Sequence, residues 1–156
     1  WWELERRLVL LYLGNSHNSS QVHRMVIEGL ENAGPDSKQI EALRQTAPRS
    51  RDALYAGDFA ALGRAMRDNT EAQGMLHPDL ISADTRRVIE IAQAYGALGW
   101  KVNGAGGEGG SITLLCSDTS HIKRAMIRAL AEENPRFQHI PTYLSRQGLR
   151  TWESQA

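Results

Sequence analysis

The sequence predicts an α+β domain in which helices back a mostly antiparallel sheet of four or five strands. Short apolar runs typical of strands lie near both ends of the chain and on both sides of residue 106, and the segments between them repeat apolar residues at helical spacing. The resulting order is strand, three or four helices, strand, loop, strand, helix and strand pair. The 156 residues are enough for one domain with its own core, so residues 1–156 are expected to form a single domain.

The first strand is predicted at residues 8–13, a continuous apolar run typical of a strand that is central in its sheet. A polar loop that contains Ser16 and His17 follows. Loops at the ends of strands often carry ligand contacts, so these two side chains are candidates to face a substrate. The next helix is predicted to end at Gly34-Pro35.

Three more helices are predicted before the second strand. The helix after residue 36 ends near Gly57, and Pro48 leaves open whether it kinks or breaks. Asp58 suits the N-cap of the next helix, which Gly74 is expected to end. The expected buried stripes are Ile40, Leu43, Ala47 and Leu54 after residue 36, Phe59, Leu62, Met66 and Asn69 after Asp58, and Val88, Ile91, Ala92 and Tyr95 before residue 96.

The second and third strands are predicted at residues 100–102 and 112–116. The final helix is expected to be capped by Asp118 and to end at Asn134-Pro135. Residues 137–144 and 148–152 then suggest a closing hairpin, in which Pro141 marks an edge position or a bulge. Cys116, the single cysteine, is predicted to be buried apolar filler rather than a nucleophile.

The composition excludes several classes of function. Eighteen basic residues balance eighteen acidic ones without a basic cluster, so neither nucleic acid nor an anionic membrane is an expected partner. No apolar run approaches the roughly 20 residues of a membrane span. The single cysteine fits a reducing compartment, so we expect a cytoplasmic protein. The five histidines are scattered, which predicts no metal site. The chain begins at Trp1 without a methionine, which indicates processing or a piece of a longer protein.

The most informative stretch is the glycine-rich loop, residues 104–110, in which five of seven residues are glycine. Such density predicts positive φ angles or a backbone that approaches a ligand closely, and consecutive bare N–H groups favour anions. A flexible turn between strands is the alternative. The dinucleotide fingerprint requires a helix after the glycines, whereas a strand follows here, and no Gly-Lys-Ser/Thr occurs in the chain. The lysine context of protein kinases is also absent.

The stretch KVNGAGGEGGSITLLC and the order of elements resemble the carboxy-terminal half of the GHMP kinases, the superfamily of galactokinase, homoserine kinase, mevalonate kinase and phosphomevalonate kinase. In that family a lysine-containing strand leads into a Gly-Ala-Gly-Gly loop and a strand leads away. The opening LVLLYLG and the closing GLRTW look most similar to the bacterial heptose 7-phosphate kinases and related sugar kinases. The resemblance covers about residues 4 to 152.

The resemblance implies a ferredoxin-like sheet with extra helices, as the second domain of a kinase that moves the γ-phosphoryl of ATP, with Mg²⁺, onto a hydroxyl of a small molecule such as a sugar or sugar phosphate. By position, Gly104, Ala105, Gly106 and Gly107 would offer backbone N–H groups near that phosphoryl, and Gly109 belongs to the same phosphate- and substrate-binding loop. Glu108 replaces a glycine of many members. It would bridge a metal, pair with a base, contact sugar hydroxyls or point outward, and we favour the last two.

The family's Gly-Ser-rich phosphate loop and its catalytic aspartate region have no counterpart in this sequence. The resemblance therefore implies no catalytic residue in this chain, no activity of the chain alone, and an N-terminal kinase domain of the same polypeptide as partner. That domain would also bind most of the ATP and Mg²⁺. Without it, an uncovered apolar face could let the fragment self-associate.

Two alternatives of other classes stay open from the sequence. A non-catalytic ligand-binding or regulatory module of ferredoxin-like layout would use the same loop to sense a small anion. An assembly domain would use the loop only structurally, so that replacing Gly106 and Gly107 with alanine would change stability and no ligand affinity.

Overall fold

Six α-helices and four strands make up the part of the chain that the structure, a computed structural model, describes: residues 1–15, 19–31, 37–117, 120–148 and 150–153. The helices are α1 Trp2–Arg7, α2 Ser19–Glu31, α3 Lys38–Ala56, α4 Phe59–Leu76, α5 Ala83–Ala94 and α6 Ser120–Glu133. The strands are β1 Leu8–Tyr12, β2 Gly99–Val102, β3 Ser111–Leu115 and β4 Gln138–Ile140, and a 3₁₀ turn covers Pro78–Leu80. None of these helices is long and apolar enough to cross a membrane.

The four strands form one antiparallel sheet in the order β2-β3-β1-β4, which is the order of a ferredoxin-like fold. Val9 pairs with Leu114 and Leu11 with Ile112, so these side chains share one face of the sheet. They are fully or almost fully buried, in one apolar cluster with residues of α5 and α6. The predicted α+β fold and the predicted number of strands are confirmed.

Helix α4 covers the free edge of β2. A Cβ atom on Gly63 would overlap the Leu98 carbonyl oxygen, and one on Gly99 would overlap the Gly63 carbonyl oxygen, so the two backbones touch. The Thr70 hydroxyl donates to the Trp100 carbonyl oxygen and accepts from the Val102 N–H, both at 3.2 Å. The edge groups of β2 are thereby paired with a side chain instead of another strand.

The predicted limits of the long helices are largely confirmed. Helix α3 continues through Pro48 and ends at Gly57, where a φ of 66° suits glycine. The Asp58 side chain caps α4 by accepting from the Ala61 N–H at 2.8 Å. The expected end at Gly74 is wrong, because α4 runs on to Leu76.

The stripe predicted for α3 is wrong. Ile40 and Leu54 are 42% and 45% exposed, and Ala47 is exposed too, whereas Thr46 and Ala53 are buried. The reason is that α3 packs against α4 partly through polar atoms. The Asn69 amide donates to the Thr46 hydroxyl at 2.7 Å, which turns a less apolar face of α3 inward.

The closing hairpin is also wrong. β4 pairs with β1 through Leu10 and Ile140, and residues 148 and 150–153 form no strand. β1 offers a free edge, and pairing there satisfies backbone groups of both strands, while all three residues of β4 stay exposed. Helix α1 was not predicted. The predicted signals Gly34-Pro35 and Asp118 lie outside the described residues.

Candidate functional site

All five glycines of the loop have positive φ angles, as their density predicted. The values are 62° for Gly104, 69° for Gly106, 87° for Gly107, 105° for Gly109 and 72° for Gly110, while no other residue type in the described chain has a positive φ. Residues with a Cβ rarely adopt this region. The loop conformation therefore depends on glycine at five positions.

Backbone hydrogen bonds fix the loop on two sides. The Gly107 N–H donates to the Leu80 carbonyl oxygen at 2.9 Å, and Gly107 forms a parallel bridge with Ile81. The Gly110 N–H donates to the Asn15 carbonyl oxygen at 3.0 Å. The loop thus lies between the end of β1 and the segment that follows α4, and it is anchored like a piece of sheet.

At two of the glycines there is also no space for a side chain. A Cβ on Gly106 would overlap the Leu80 carbonyl oxygen, and one on Gly109 would overlap the Asn15 carbonyl oxygen. Around Gly104, by contrast, no atom lies within 4 Å of an added Cβ. The middle and end of the loop are packed, and its beginning is open, so the loop is not a flexible turn throughout.

The loop's N–H groups are only partly available to a ligand. The Gly107 N–H, one of four predicted donors to a phosphoryl group, already donates to the Leu80 carbonyl oxygen. Among the described residues, the N–H groups of Gly104, Ala105 and Gly106 have no backbone acceptor. Gly104 is exposed and Ala105 is partly exposed, whereas Gly106 is buried. An anion would therefore meet the first two residues of the loop more easily than the third.

A polar cavity of about 230 Å³ lies beside the second half of the loop. It is lined by Asn15, Ser82, Ala83, Asp84, Glu108 and Arg136. The Arg136 guanidinium donates to the Asn15 side-chain oxygen at 3.2 Å and lies 3.6 Å from an Asp84 carboxylate oxygen. Glu108 is exposed at this cavity and forms no ion pair with any other described residue, which fits the favoured outward orientation.

A larger cavity of about 470 Å³ lies at the beginning of the loop. Most of its lining is apolar: Val26, Ile27, Leu43, Leu76, Leu80 and Ala105, with Gly104. Three polar side chains complete it. These are Asn69, Gln73, whose amide donates to the Gly104 carbonyl oxygen at 2.9 Å, and Lys101, whose ammonium donates to the Val102 carbonyl oxygen at 2.8 Å. Burial lowers the pKa of the Lys101 ammonium.

Cys116 takes no part in either cavity. Its side chain is 4% exposed, and burial raises the pKa of its thiol to about 11. A buried neutral thiol is a poor nucleophile, so the prediction of buried filler is confirmed. Within the described ranges, no three His, Cys, Asp or Glu side chains are placed to hold a metal ion. Ser16 and His17 lie outside the described residues, next to Asn15.

Sequence reasoning found the loop but not its supports. Gln73, Leu80 and Asn15 bond to the loop from at least 27 positions away in sequence, Arg136 bonds to Asn15, and none belongs to a motif. One signal was available. Ser82 caps α5 by accepting from the Thr85 N–H at 3.2 Å, and a serine before a helical apolar repeat is a common start signal.

The family model described as GHMP kinases C terminal matches residues 50–135, more than half of the chain. The chain is also similar in fold to mevalonate kinase of L. major, solved with R-mevalonate, at 23% identity and a TM-score of 0.70. It is similar to a Lin0012 protein from Listeria innocua at 14% identity and a TM-score of 0.75. It is also similar to Streptococcus pneumoniae phosphomevalonate kinase, solved with phosphomevalonate and AMPPNP, at 17% identity and a TM-score of 0.65. A search of curated proteins finds no match.

These similarities cover most of this chain and less than half of each relative. They span 85%, 89% and 85% of the chain, but only 40%, 39% and 37% of the three solved proteins in the same order. At such identities the likeness shows a shared fold. The chain spans about 40% of the length of the solved structures that it matches.

Proposed function

The chain belongs to the GHMP kinases, and from that membership we propose that it is the C-terminal half of a two-domain kinase. The kinase transfers the γ-phosphoryl group of ATP to a hydroxyl of a small molecule, a sugar or a sugar phosphate. This chain contributes the glycine-rich loop beside the transferred phosphoryl. The N-terminal domain of the same polypeptide is its partner, and the single buried thiol fits a cytoplasmic enzyme.

The observation that carries the proposal is the anchored glycine loop. Phosphoryl transfer depends mainly on positioning and on stabilising charge, so fixed backbone donors are useful parts of such a site. The loop is held at Leu80 and Asn15, while the N–H groups of Gly104 and Ala105 have no backbone acceptor among the described residues. Backbone N–H groups that are held in place and have no acceptor of their own can bind the oxygens of a phosphoryl group.

The polar cavity supports a sugar or a sugar phosphate as acceptor. Carboxylate and amide oxygens accept hydrogen bonds from hydroxyl groups, and Glu108, Asp84 and Asn15 supply such oxygens here. The Arg136 guanidinium suits an anionic group of the acceptor. The cavity lies against the same loop, so an acceptor bound there would be close to the transferred phosphoryl.

The described residues do not fit a Mg²⁺ site of their own, because no three carboxylate, histidine or cysteine side chains converge in that part of the chain. We assign the ligands of Mg²⁺, most of the ATP contacts and the catalytic residues to the N-terminal domain. The chain alone then supplies one side of the binding site and no catalytic groups, so we expect no turnover from it.

The test is ATP turnover against a panel of sugars and sugar phosphates, measured for this chain and for the full-length product of its gene. We expect activity in the longer protein only. In that protein, Glu108→Gln should raise the acceptor KM severalfold with little change in kcat, because it removes a charged acceptor for hydroxyls. Glu132→Gln, a charge-matched change at an exposed position of α6, should change neither.

Two results would contradict parts of the proposal. An unchanged KM in Glu108→Gln would remove the acceptor from the polar cavity. Inactivity of both proteins towards every acceptor, with inorganic phosphate still bound by the chain, would favour the non-catalytic regulatory module.

A further inference from the structure

We propose that the larger cavity, at Gly104 and Lys101, is a second ligand site that binds a small anion with a hydrocarbon body. The anionic group meets the Lys101 ammonium, and the hydrocarbon lies against the apolar wall formed by α2, α3 and α4. The site goes beyond phosphoryl transfer and does not depend on it.

The size and lining of the cavity suit a small organic ligand. Binding cavities for such molecules commonly measure about 300–1,000 Å³ and combine apolar walls with a few polar groups. This cavity measures about 470 Å³ and presents Asn69, Gln73 and Lys101 among apolar side chains. A fully hydroxylated sugar would leave most of its hydroxyls against hydrocarbon there, which is unfavourable. The lining therefore selects an amphipathic molecule.

Lys101 indicates the charge of the ligand. Lysine ammonium groups are rarely withdrawn from water unless they are paired with an anion. The side chain of Lys101 is half-buried at the cavity, yet among the described residues it has no carboxylate partner, and its ammonium donates only to the Val102 carbonyl oxygen. An ammonium has three donors, so two are left for a carboxylate or phosphate group of a ligand.

The cavity is connected to the glycine loop through Gln73. This side chain is 7% exposed, and its amide holds the Gly104 carbonyl oxygen at 2.9 Å. Gly104 and Ala105 themselves line the cavity. A ligand in the cavity would therefore touch the same loop that borders the polar cavity, so occupancy of one cavity can change affinity in the other.

The probes for the test are hexanoate, 1-hexanol and inorganic phosphate, followed by NMR titration of backbone amides. We expect hexanoate to shift the amides of Gly104 and Ala105 and to bind at least about 10-fold more tightly than hexanol, since a hydrogen bond to a charged group contributes about 1.5–3 kcal/mol. Lys101→Met should weaken hexanoate binding about 10-fold or more and leave hexanol unchanged. Lys101→Arg should keep most of the affinity.

The control is Arg124→Met, which removes an exposed cation from α6 and should leave all three affinities unchanged. Equal binding of hexanoate to the native protein and Lys101→Met would overturn the proposal, as would equal binding of hexanoate and hexanol. Phosphate binding as tight as that of hexanoate would overturn the requirement for a hydrocarbon body.

The same probe shows which step the cavity affects in the full-length protein. If hexanoate raises only the acceptor KM, a ligand in the larger cavity weakens acceptor binding in the polar cavity through the shared loop. If hexanoate changes kcat, the ligand acts on the transfer step or on product release. Both results support the site. Complete absence of kinase activity would overturn the proposed function and leave the NMR result as it stands.

Discussion

The two sides of the glycine-rich loop differ in chemistry and in the way they are held. On the side of the larger cavity, side chains of α4 hold the strand and the loop: Thr70 bonds to β2 and Gln73 bonds to Gly104. The backbone of Leu80, which also lines the larger cavity, holds the middle of the loop, and on the side of the polar cavity the backbone of Asn15 holds its end, beside charges that are exposed or partly exposed.

This difference teaches that one loop can border two ligand environments without being flexible. Side-chain anchors can change by single substitutions while the backbone stays in place. Backbone anchors depend on glycine, since any Cβ at Gly106 or Gly109 meets a carbonyl oxygen. Single substitutions can therefore change the ligand contacts on the side of the larger cavity without disturbing the loop backbone.

The sharpest test of this comparison replaces single glycines with alanine. Gly106→Ala and Gly109→Ala each combine an unfavourable positive φ with an overlap of carbonyl oxygens, so each should lower the free energy of unfolding by about 3 kcal/mol or more. Gly104→Ala carries only the φ penalty and should cost about 1 kcal/mol. Urea denaturation measures all three. Equal losses at the three positions would break the distinction between the packed and the open part of the loop.

A smaller loss is expected from Thr70→Val, which keeps the side-chain shape but leaves two buried backbone groups of β2 without a partner. The free energy of unfolding should fall by about 2 kcal/mol, and the Val102 amide should exchange faster with deuterium. Thr142→Val, at an exposed position, should stay within about 0.5 kcal/mol of the native protein. If Thr70→Val is equally mild, α4 does not hold β2 by this bond.

The smallest effect concerns charge on the two sides. Burial lowers the pKa of Lys101, so its protonation favours the unfolded chain below that pKa. Solvent still screens the half-exposed ammonium, so Lys101→Met should raise stability at pH 7 by less than about 1 kcal/mol, and the gain should shrink as the pH rises towards the lysine pKa of the unfolded chain, about 10.4. Arg136→Gln, at the exposed polar cavity, should change stability by less than about 0.5 kcal/mol at every pH. A gain for Lys101→Met that grows with pH would contradict the desolvation of this lysine.

The loop could be predicted because its signal is local. Five glycines in seven residues indicate positive φ by themselves, and the strands on both sides follow from short apolar runs. The N-cap at Asp58 and the end at Gly57 are likewise local, because each depends on one residue and its nearest neighbours along the chain.

Apart from helix α1 and the end of α4, the features that the sequence did not predict depend on long-range contacts. The buried face of α3 is set by the contact of Thr46 with Asn69, 23 residues away, and not by apolar spacing alone. β4 pairs with β1 across the sheet, so the hairpin predicted from residues 137–144 and 148–152 does not form. The larger cavity is also long-range, since Lys101 of β2 comes close to side chains of α2, α3 and α4 only after the chain has folded.

The covering of β2 by α4 bears on how the protein behaves at high concentration. Sheet edges with unpaired backbone groups are templates for aggregation. In the described part of the chain, the edge of β2 is already paired with Thr70, and the other edge, β4, has three residues and is followed by Pro141, which has no N–H to donate. Strand-to-strand polymerisation therefore has a very short template, and self-association of the chain would have to use side-chain surfaces.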